Sequence, residues 1–419
     1  MLLTIPPPTP DGYLGLGAKK RIFLLRIFLA TIVLSLAGQN AFGMATVKNK
    51  RKTGVRRAAS VAAKPLRVVG RHAPISHLAH LANFSRRRAY VPAPAWISPT
   101  YADSTAGDMV DGEDLVVRRA AASALGPFNG SIVVADPNTG RLLAVINQKL
   151  AYKGGFQPCS TIKLVSALAG LNEGVIDGTT QLRIGRKRSI DLTEALAHSN
   201  NYFFSNVGER LGFERITHYA KLYGLGEKAA LDIPEEDPLP LPAAPPNDGL
   251  GMMTSFGEGF NFSPLQLAAL VSAIANGGTL YYLQHPHSQQ ELSQFVPRLK
   301  RQLDIDRWLQ VIRPGMEGAV EYGTARRANF DQTQPILGKT GTCTDVRSPI
   351  HLGWFGSYNE IGANKLVVVV LLTGGGTVNG AVASGVAGAV YRNLTDEGYF
   401  GRTRTISPLA LVSAQSFSQ

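Results

Sequence analysis

Two cysteines in 419 residues are too few for a disulfide scaffold or a structural zinc site. The eight histidines form no His-Glu-x-x-His or comparable spacing, so metal-assisted hydrolysis has no ligand set, and neither a metal nor another cofactor is expected. No apolar run is long enough to span a bilayer without interruption. Ile22 to Gly38 is broken by Arg26, and Ile27 to Gly38 alone is too short. No internal repeat stands out, which argues against a solenoid. Residues 44–90 hold no Asp or Glu at all, against twelve Lys or Arg.

That missing acid locates the charge. The chain carries +13 overall; residues 1–43 hold +3 and residues 44–90 hold +12, and removing these fifteen leaves −2 for residues 91–419. The high net charge therefore says nothing for a nucleic-acid site in the body of the protein, and none is expected. Lys19-Lys20-Arg21 followed by the apolar run has the charged and hydrophobic regions of a secretory signal. The small residues around Ala41-Phe42-Gly43-Met44-Ala45 suit a signal peptidase, while an uncleaved anchor counted from Ile22 fits equally, so residues 1–43 are expected to be one or the other. Residues 44–114 read as a basic linker, punctuated by Pro92 and Pro94. Its basic part is either a solvated spacer or an adhesive for a membrane surface or other polyanion, where each basic side chain is worth about 1 kcal/mol.

Three short patterns stand in the remainder: Ser160-Thr161-Ile162-Lys163, Ser199-Asn200-Asn201, and Lys339-Thr340-Gly341-Thr342. Their residue types answer one chemical need. A serine hydroxyl attacks an amide only if a nearby base takes its proton. Lys163, three residues after Ser160, shares its helix face. A lysine serves as base only when neutral, so burial and a neighbouring cation must depress its pKa, and Lys339 can supply the cation. Each pattern alone is weak: Lys52-Thr53-Gly54 and Ser357-Tyr358-Asn359 repeat two of them at positions that make no sense as a site. Order and context raise the signal. Gly154 to Cys159 predicts a turn feeding Ser160 onto a helix over Leu164 to Leu171. Lys339 follows Pro335-Ile336-Leu337-Gly338 on a predicted strand whose partner candidates are Leu352 to Tyr358 and Leu366 to Thr373. The run from Pro234 to Pro246, with six prolines in thirteen residues, predicts an extended loop.

With these patterns the sequence resembles the transpeptidase domain of penicillin-binding proteins, in the penicilloyl-serine transferase and serine β-lactamase superfamily. The resemblance runs from about residue 115 to 400. It includes Gly130 to Ala144 as an opening hairpin, Leu231-Asp232-Ile233-Pro234, Ser263-Pro264-Leu265-Gln266, Tyr322-Gly323-Thr324-Ala325 and Trp354-Phe355-Gly356. It implies an α/β fold of the α+β type: an antiparallel five-stranded sheet flanked by helices plus a mainly helical subdomain, with the site in the cleft between them and residues 401–419 as a tail. The short segment before residue 115 implies a member with the transpeptidase domain alone.

The resemblance also implies roles. Ser160 is the nucleophile at a helix start and Lys163 its base. Ser199 relays a proton toward the leaving amine, and Asn201 holds Lys163 and the substrate amide. The backbone N–H groups of Ser160 and Thr342 form the oxyanion hole, since such a hole needs two donors aimed at one point. Lys339, Thr340, Gly341 and Thr342 bind the terminal carboxylate of a D-Ala-D-Ala stem peptide. The implied activity is a serine D,D-transpeptidase of peptidoglycan cross-linking, exported to the periplasmic or extracytoplasmic face of the cytoplasmic membrane and acylated by β-lactam antibiotics. D,D-carboxypeptidase and serine β-lactamase remain as alternatives, the latter needing a base for the deacylating water, for which Glu235 and Glu236 are the candidates. Two simpler readings also stand: Ser199 as a helix N-cap, and Lys339 as a solvent-facing strand residue. Cys159 and Cys343 immediately flank the first and third motifs, which face each other across the cleft in the implied fold. A disulfide between them is expected there, against the alternative of two small buried thiols.

Overall fold

The computed structural model describes residues 99–344, 350–362 and 364–401. The expected export segment, most of the basic linker and all of the tail after Gly401 lie outside them, as does the Lys52 motif repeat. Contacts divide the chain into Met1–Arg87 and Arg88–Gln419, and all described residues belong to the second unit. Among the described residues no helix is long and apolar enough to cross a membrane.

Long β-branched runs in the sequence become the sheet. Strands β1 (Gly130–Ala135) and β2 (Leu142–Ile146) form the opening hairpin. Two ribbons follow, β3 (Leu182–Arg183) with β4 (Ser189–Ile190), and β5 (Thr279–Tyr282) with β6 (Arg298–Gln302). Then come β7 (Ile336–Thr344), β8 (His351–Asn359) and β9 (Val367–Gly374). The main sheet is antiparallel, in the order β2-β1-β9-β8-β7. Strand β9 is its centre, and every residue from Val367 to Leu372 is fully buried. That is why its sequence is a continuous apolar run rather than an alternating one. Val367, Val369 and Leu371 enter one core cluster, Val368, Val370 and Leu372 the other.

Helix Pro264–Ala275 covers the first face. It is buried along its whole length and opens on a capping box in which Ser263 and Gln266 satisfy each other's backbone N–H groups. Helices Leu115–Leu125 and Gly380–Asp396 cover the second face, started by Asp114 and Asn379 as N-caps; such caps contribute about 1 kcal/mol each. Helices Lys163–Asn172, Asn201–Leu211, Phe213–Leu222 and Gly249–Phe256 form the helical subdomain. The predicted α+β architecture is the one observed. The expected helix over Leu164 to Leu171 extends one residue at each end, and a 3-10 turn, Cys159–Ile162, precedes it. Residues 234–246 carry no helix, and their pairing is the single bridge Lys153–Asp237.

Candidate active site

The turn that carries Ser160 is strained. Cys159 has φ +52 and Ser199 φ +54, two of the three non-glycine residues with positive φ among the described residues. Left-handed backbone at such residues costs on the order of 1 kcal/mol or more and persists where surrounding structure over-determines it. The strain therefore falls on the residue before the nucleophile and on the serine of the second motif. Ser160 itself is 9% exposed, at the edge of burial, so its hydroxyl can reach the cleft. Strand β7 presses on this turn. A Cβ on Gly341 would stand 2.9 Å from the Pro158 carbonyl oxygen and 3.2 Å from Thr161 Cγ2, so only glycine lets the third motif lie against the first.

Lys163 is completely buried and its ammonium nitrogen has four oxygen neighbours. Nζ lies 2.6 Å from Ser160 Oγ, 2.7 Å from Asn201 Oδ1, 2.8 Å from the Ser255 carbonyl and 3.2 Å from Ser199 Oγ. The rings of Phe204 and Phe256 complete the wall, at 5.8 and 5.7 Å from Nζ. Burial, and then the charge of Lys339, hold the Lys163 pKa well below that of an ordinary lysine. A neutral amine 2.6 Å from a serine hydroxyl is in position to take its proton.

The second motif reaches this amine from the start of the helix Asn201–Leu211 and the turn before it. Asn200, not Ser199, is the N-cap of Asn201–Leu211: its side chain accepts the Phe203 N–H at 2.9 Å. That overturns the capping role weighed for Ser199 and frees its hydroxyl for Lys163. Asn201, one residue on, is the first helical residue and turns its oxygen inward.

The third motif occupies β7, the edge strand. Lys339 is fully buried, with Nζ donating to the Thr340 carbonyl at 3.1 Å, so it is not the solvent-facing strand residue of the simpler reading. Burial pulls its pKa down to about 7. Thr340 Oγ1 lies 2.6 Å from Thr324 Oγ1, and Thr342 Oγ1 accepts the Gly380 N–H at 2.8 Å. Ser160, Ser199, Asn201, Thr324, Thr340 and Thr342 line one cleft of about 370 Å³, to which Phe256, Asn379 and Ala381 add the rim. Lys339 lies behind that wall rather than in it. Cys159 and Cys343 are joined by a disulfide with Cα atoms 5.6 Å apart, tying the residue before Ser160 to the residue after Thr342.

All three predicted motifs thus meet in one place. The Ser357 repeat does not: Ser357 Oγ is buried on β8, donating to the Val368 carbonyl at 2.9 Å. Glu235 and Glu236 are not in the cleft either. Glu236 is buried elsewhere, accepting the N–H groups of Ala229 and Ala230 at 2.8 Å each, and Glu235 is exposed. A larger cavity of about 410 Å³, lined by Glu317, Glu321 and Asp331 among others, holds no residue of the three motifs, so size does not mark the site. Sequence reasoning missed the Ser255 carbonyl and the contributions of Thr324 and Asn379. The first is a backbone atom, which no residue pattern announces. Thr324 lies within a recognised stretch, but its sequence position shows nothing of its contact with Thr340.

A serine that follows a strained residue, a buried lysine in contact with it and a hydroxyl-lined edge strand meet in one cleft on a mixed sheet-and-helix fold. The penicillin binding protein transpeptidase domain model matches residues 130–396, well over half of the chain, and the chain belongs to that family. Among curated proteins it is similar to stage V sporulation protein D of Bacillus subtilis (strain 168), 29% identical over 319 residues, covering 66% of this chain and 49% of the relative. It is also similar to peptidoglycan D,D-transpeptidase MrdA of Haemophilus influenzae, 24% identical over 352 residues, covering 64% of this chain and 54% of the relative. The chain thus spans about half the length of the curated relatives it matches. Among solved structures, the acyl-enzyme complex of penicillin-binding protein A from Mycobacterium tuberculosis aligns with TM-score 0.58 at 20% identity, covering 67% of this chain and 78% of that one. At that identity the likeness shows the fold.

Proposed function

We propose that this protein is a serine D,D-transpeptidase that acts on D-Ala-D-Ala stem peptides of peptidoglycan and is acylated by penicillin. The contact of 2.6 Å between Lys163 Nζ and Ser160 Oγ, inside a cage completed by the second motif, carries the reading. Lys163 takes the proton of Ser160 as the hydroxyl attacks the penultimate carbonyl. The developing oxyanion is held by the backbone N–H groups of Ser160 and Thr342. Ser199, whose hydroxyl lies 3.2 Å from Lys163 Nζ in the same cleft, passes the proton to the departing D-alanine amine. The acyl-enzyme is then taken by an amine of a neighbouring stem peptide. Thr340 and Thr342 offer hydroxyls to the substrate carboxylate, and Lys339 acts on it from behind the strand, as a charge rather than a contact.

The similarity to peptidoglycan D,D-transpeptidase MrdA supports the same reading. Export to the extracytoplasmic side follows from the charged and apolar pattern of residues 19–38, and the disulfide suits an oxidising compartment. A D,D-carboxypeptidase would use water in place of the amine on the same acyl-enzyme. The β-lactamase alternative loses its two candidate bases, both of which lie outside the cleft.

Labelling purified protein with a fluorescent penicillin tests this. The adduct should form on Ser160, persist for many minutes and vanish in Ser160→Ala, which removes one oxygen and leaves the fold intact. An adduct on Ser160→Ala, or rapid loss of label with hydrolysis of the antibiotic, would overturn the reading.

A further inference from the structure

We propose that the Ser255–Gly257 turn, at the C-terminal end of helix Gly249–Phe256, is a positioning element of the acylation site, its Ser255 carbonyl aiming the lone pair of Lys163 at Ser160. The inference rests on the reading that Ser160 is acylated.

The argument is a count of protons. Of the four oxygens around Lys163 Nζ, two can only accept: the Asn201 side-chain oxygen at 2.7 Å and the Ser255 carbonyl at 2.8 Å. The other two, on Ser160 at 2.6 Å and Ser199 at 3.2 Å, are hydroxyls and can also donate. A neutral amine has two N–H groups and one lone pair. The two obligate acceptors take both N–H groups, so the lone pair is left to the hydroxyls, of which Ser160 is nearer. Take the carbonyl away and one N–H is free to point at Ser160, where it blocks deprotonation. After proton transfer the count still closes: the ammonium keeps its bonds to Asn201 and Ser255, and the third N–H, formed toward Ser160, has the Ser199 hydroxyl at 3.2 Å as its other acceptor and the relay. The charged group facing Lys163 is Lys339, from β7. The helix Asn201–Leu211 contributes Asn201 and the Phe204 ring, and the helix Gly249–Phe256 contributes the carbonyl and the Phe256 ring. None of the Lys163 hydrogen bonds described is to a carboxylate.

The turn is built to hold this carbonyl in place. Helix ends leave carbonyls unpaired within the helix, and here they are assigned outward. Phe256 gives its carbonyl to Gln157 Nε2 at 3.0 Å, and Thr254 gives its own to Ser166 Oγ at 2.9 Å. Both donors belong to the nucleophile segment. Gly257 closes the helix with φ +75, and a Cβ there would stand 2.4 Å from Pro158 Cγ. Only glycine allows the helix end to lie this close to the turn that carries Ser160.

The test is the rate of fluorescent penicillin labelling per labelled site, followed across pH in the full-length protein. Gly257→Ala pushes the helix end off Pro158 and should slow labelling on the order of 10²-fold, the cost of misplacing a reacting group by about 1 Å. It should also move the acid limb of the profile to lower pH, because the carbonyl dipole favours the ammonium and its withdrawal disfavours it. Gln157→Ala, which removes only the amide that holds the Phe256 carbonyl, should shift both quantities the same way by several-fold and serves where Gly257→Ala does not fold. A purely structural turn would lower thermal stability in both variants while leaving the rate per site and the acid limb unchanged. That result overturns the inference. Absence of any labelling in the wild type would instead count against the proposed function.

Discussion

The segment Cys159–Asn172 and the strand β7 each bring one buried lysine to the neighbourhood of the cleft, and the two lysines differ in the partners they keep. Lys163 is surrounded by four oxygens, from the Ser160 turn, the Ser199–Asn201 motif and the helix Gly249–Phe256; the hydrogen bond described for Lys339 goes to the carbonyl of the residue after it. Both are depressed by burial, Lys163 further by the charge of Lys339. A lysine that must give and take a proton needs partners in both protonation states. One that supplies a field needs to be near and still charged, and with its pKa pulled down to about 7 Lys339 carries that charge most fully below neutral pH. The effect of one on the other runs through space, so removing Lys339 alters Lys163 without touching it.

The comparison breaks most visibly at Lys163. Lys163→Ala should slow penicillin acylation by about 10²-fold to 10⁴-fold, the range for a lost general base, and Lys163→Arg should not restore it, because a guanidinium stays protonated. Equal labelling rates in wild type and Lys163→Ala would remove the base from the mechanism. Separating the two segments covalently comes next. The paired substitution Cys159→Ala and Cys343→Ala should lower unfolding free energy by about 2 to 5 kcal/mol, the usual value of a native bridge, as read by urea titration. An unchanged midpoint would mean the bond adds nothing to packing already present.

Lys339→Ala sharpens the contrast. It should reduce acylation by about ten-fold, a little over 1 kcal/mol, and move the acid limb of the pH profile upward. The sign follows from the direction of coupling: Lys339 lowers the Lys163 pKa, so its loss raises it, and more alkaline conditions are needed to free the base. In the wild type, acylation should rise with pH through the depressed Lys163 pKa, below the ordinary lysine range, and a limb at that ordinary range in the wild type would contradict the burial. The smallest effect is expected outside both segments. Glu235→Gln and Glu236→Gln should leave the lifetime of the penicillin adduct unchanged within about two-fold; a much longer adduct in either would give that carboxylate a part in deacylation.

What could be read from the sequence was side-chain chemistry in order. Ser160, Lys163, Ser199, Asn201 and the Lys339 motif are unusual types at unusual spacings, and β9 betrays its double burial by its unbroken valines. Other features depend on where backbone atoms go. Ser199 and Asn200 are both good caps by composition, and only the backbone decides that Asn200 serves. Lys339 is fully buried while its neighbour Thr340 lines the cleft, a depth set by tertiary packing that no local pattern encodes. The disulfide was legible because its cysteines abut the two motifs that the site brings together.

The position of β9 has a consequence for how the molecule is made. It is the last strand of the sheet in the chain and also the middle one, pairing with β1 about 240 residues earlier. Until β9 is in place, the hairpin β1–β2 and the pair β7–β8 each present an open edge with no partner, a template for sticking to other chains. Closing so distant a pair is slow. A chain that stalls or is cut just before Val367 therefore carries every residue of the three motifs and no sheet to hold them, and it is a better seed for aggregation than for catalysis.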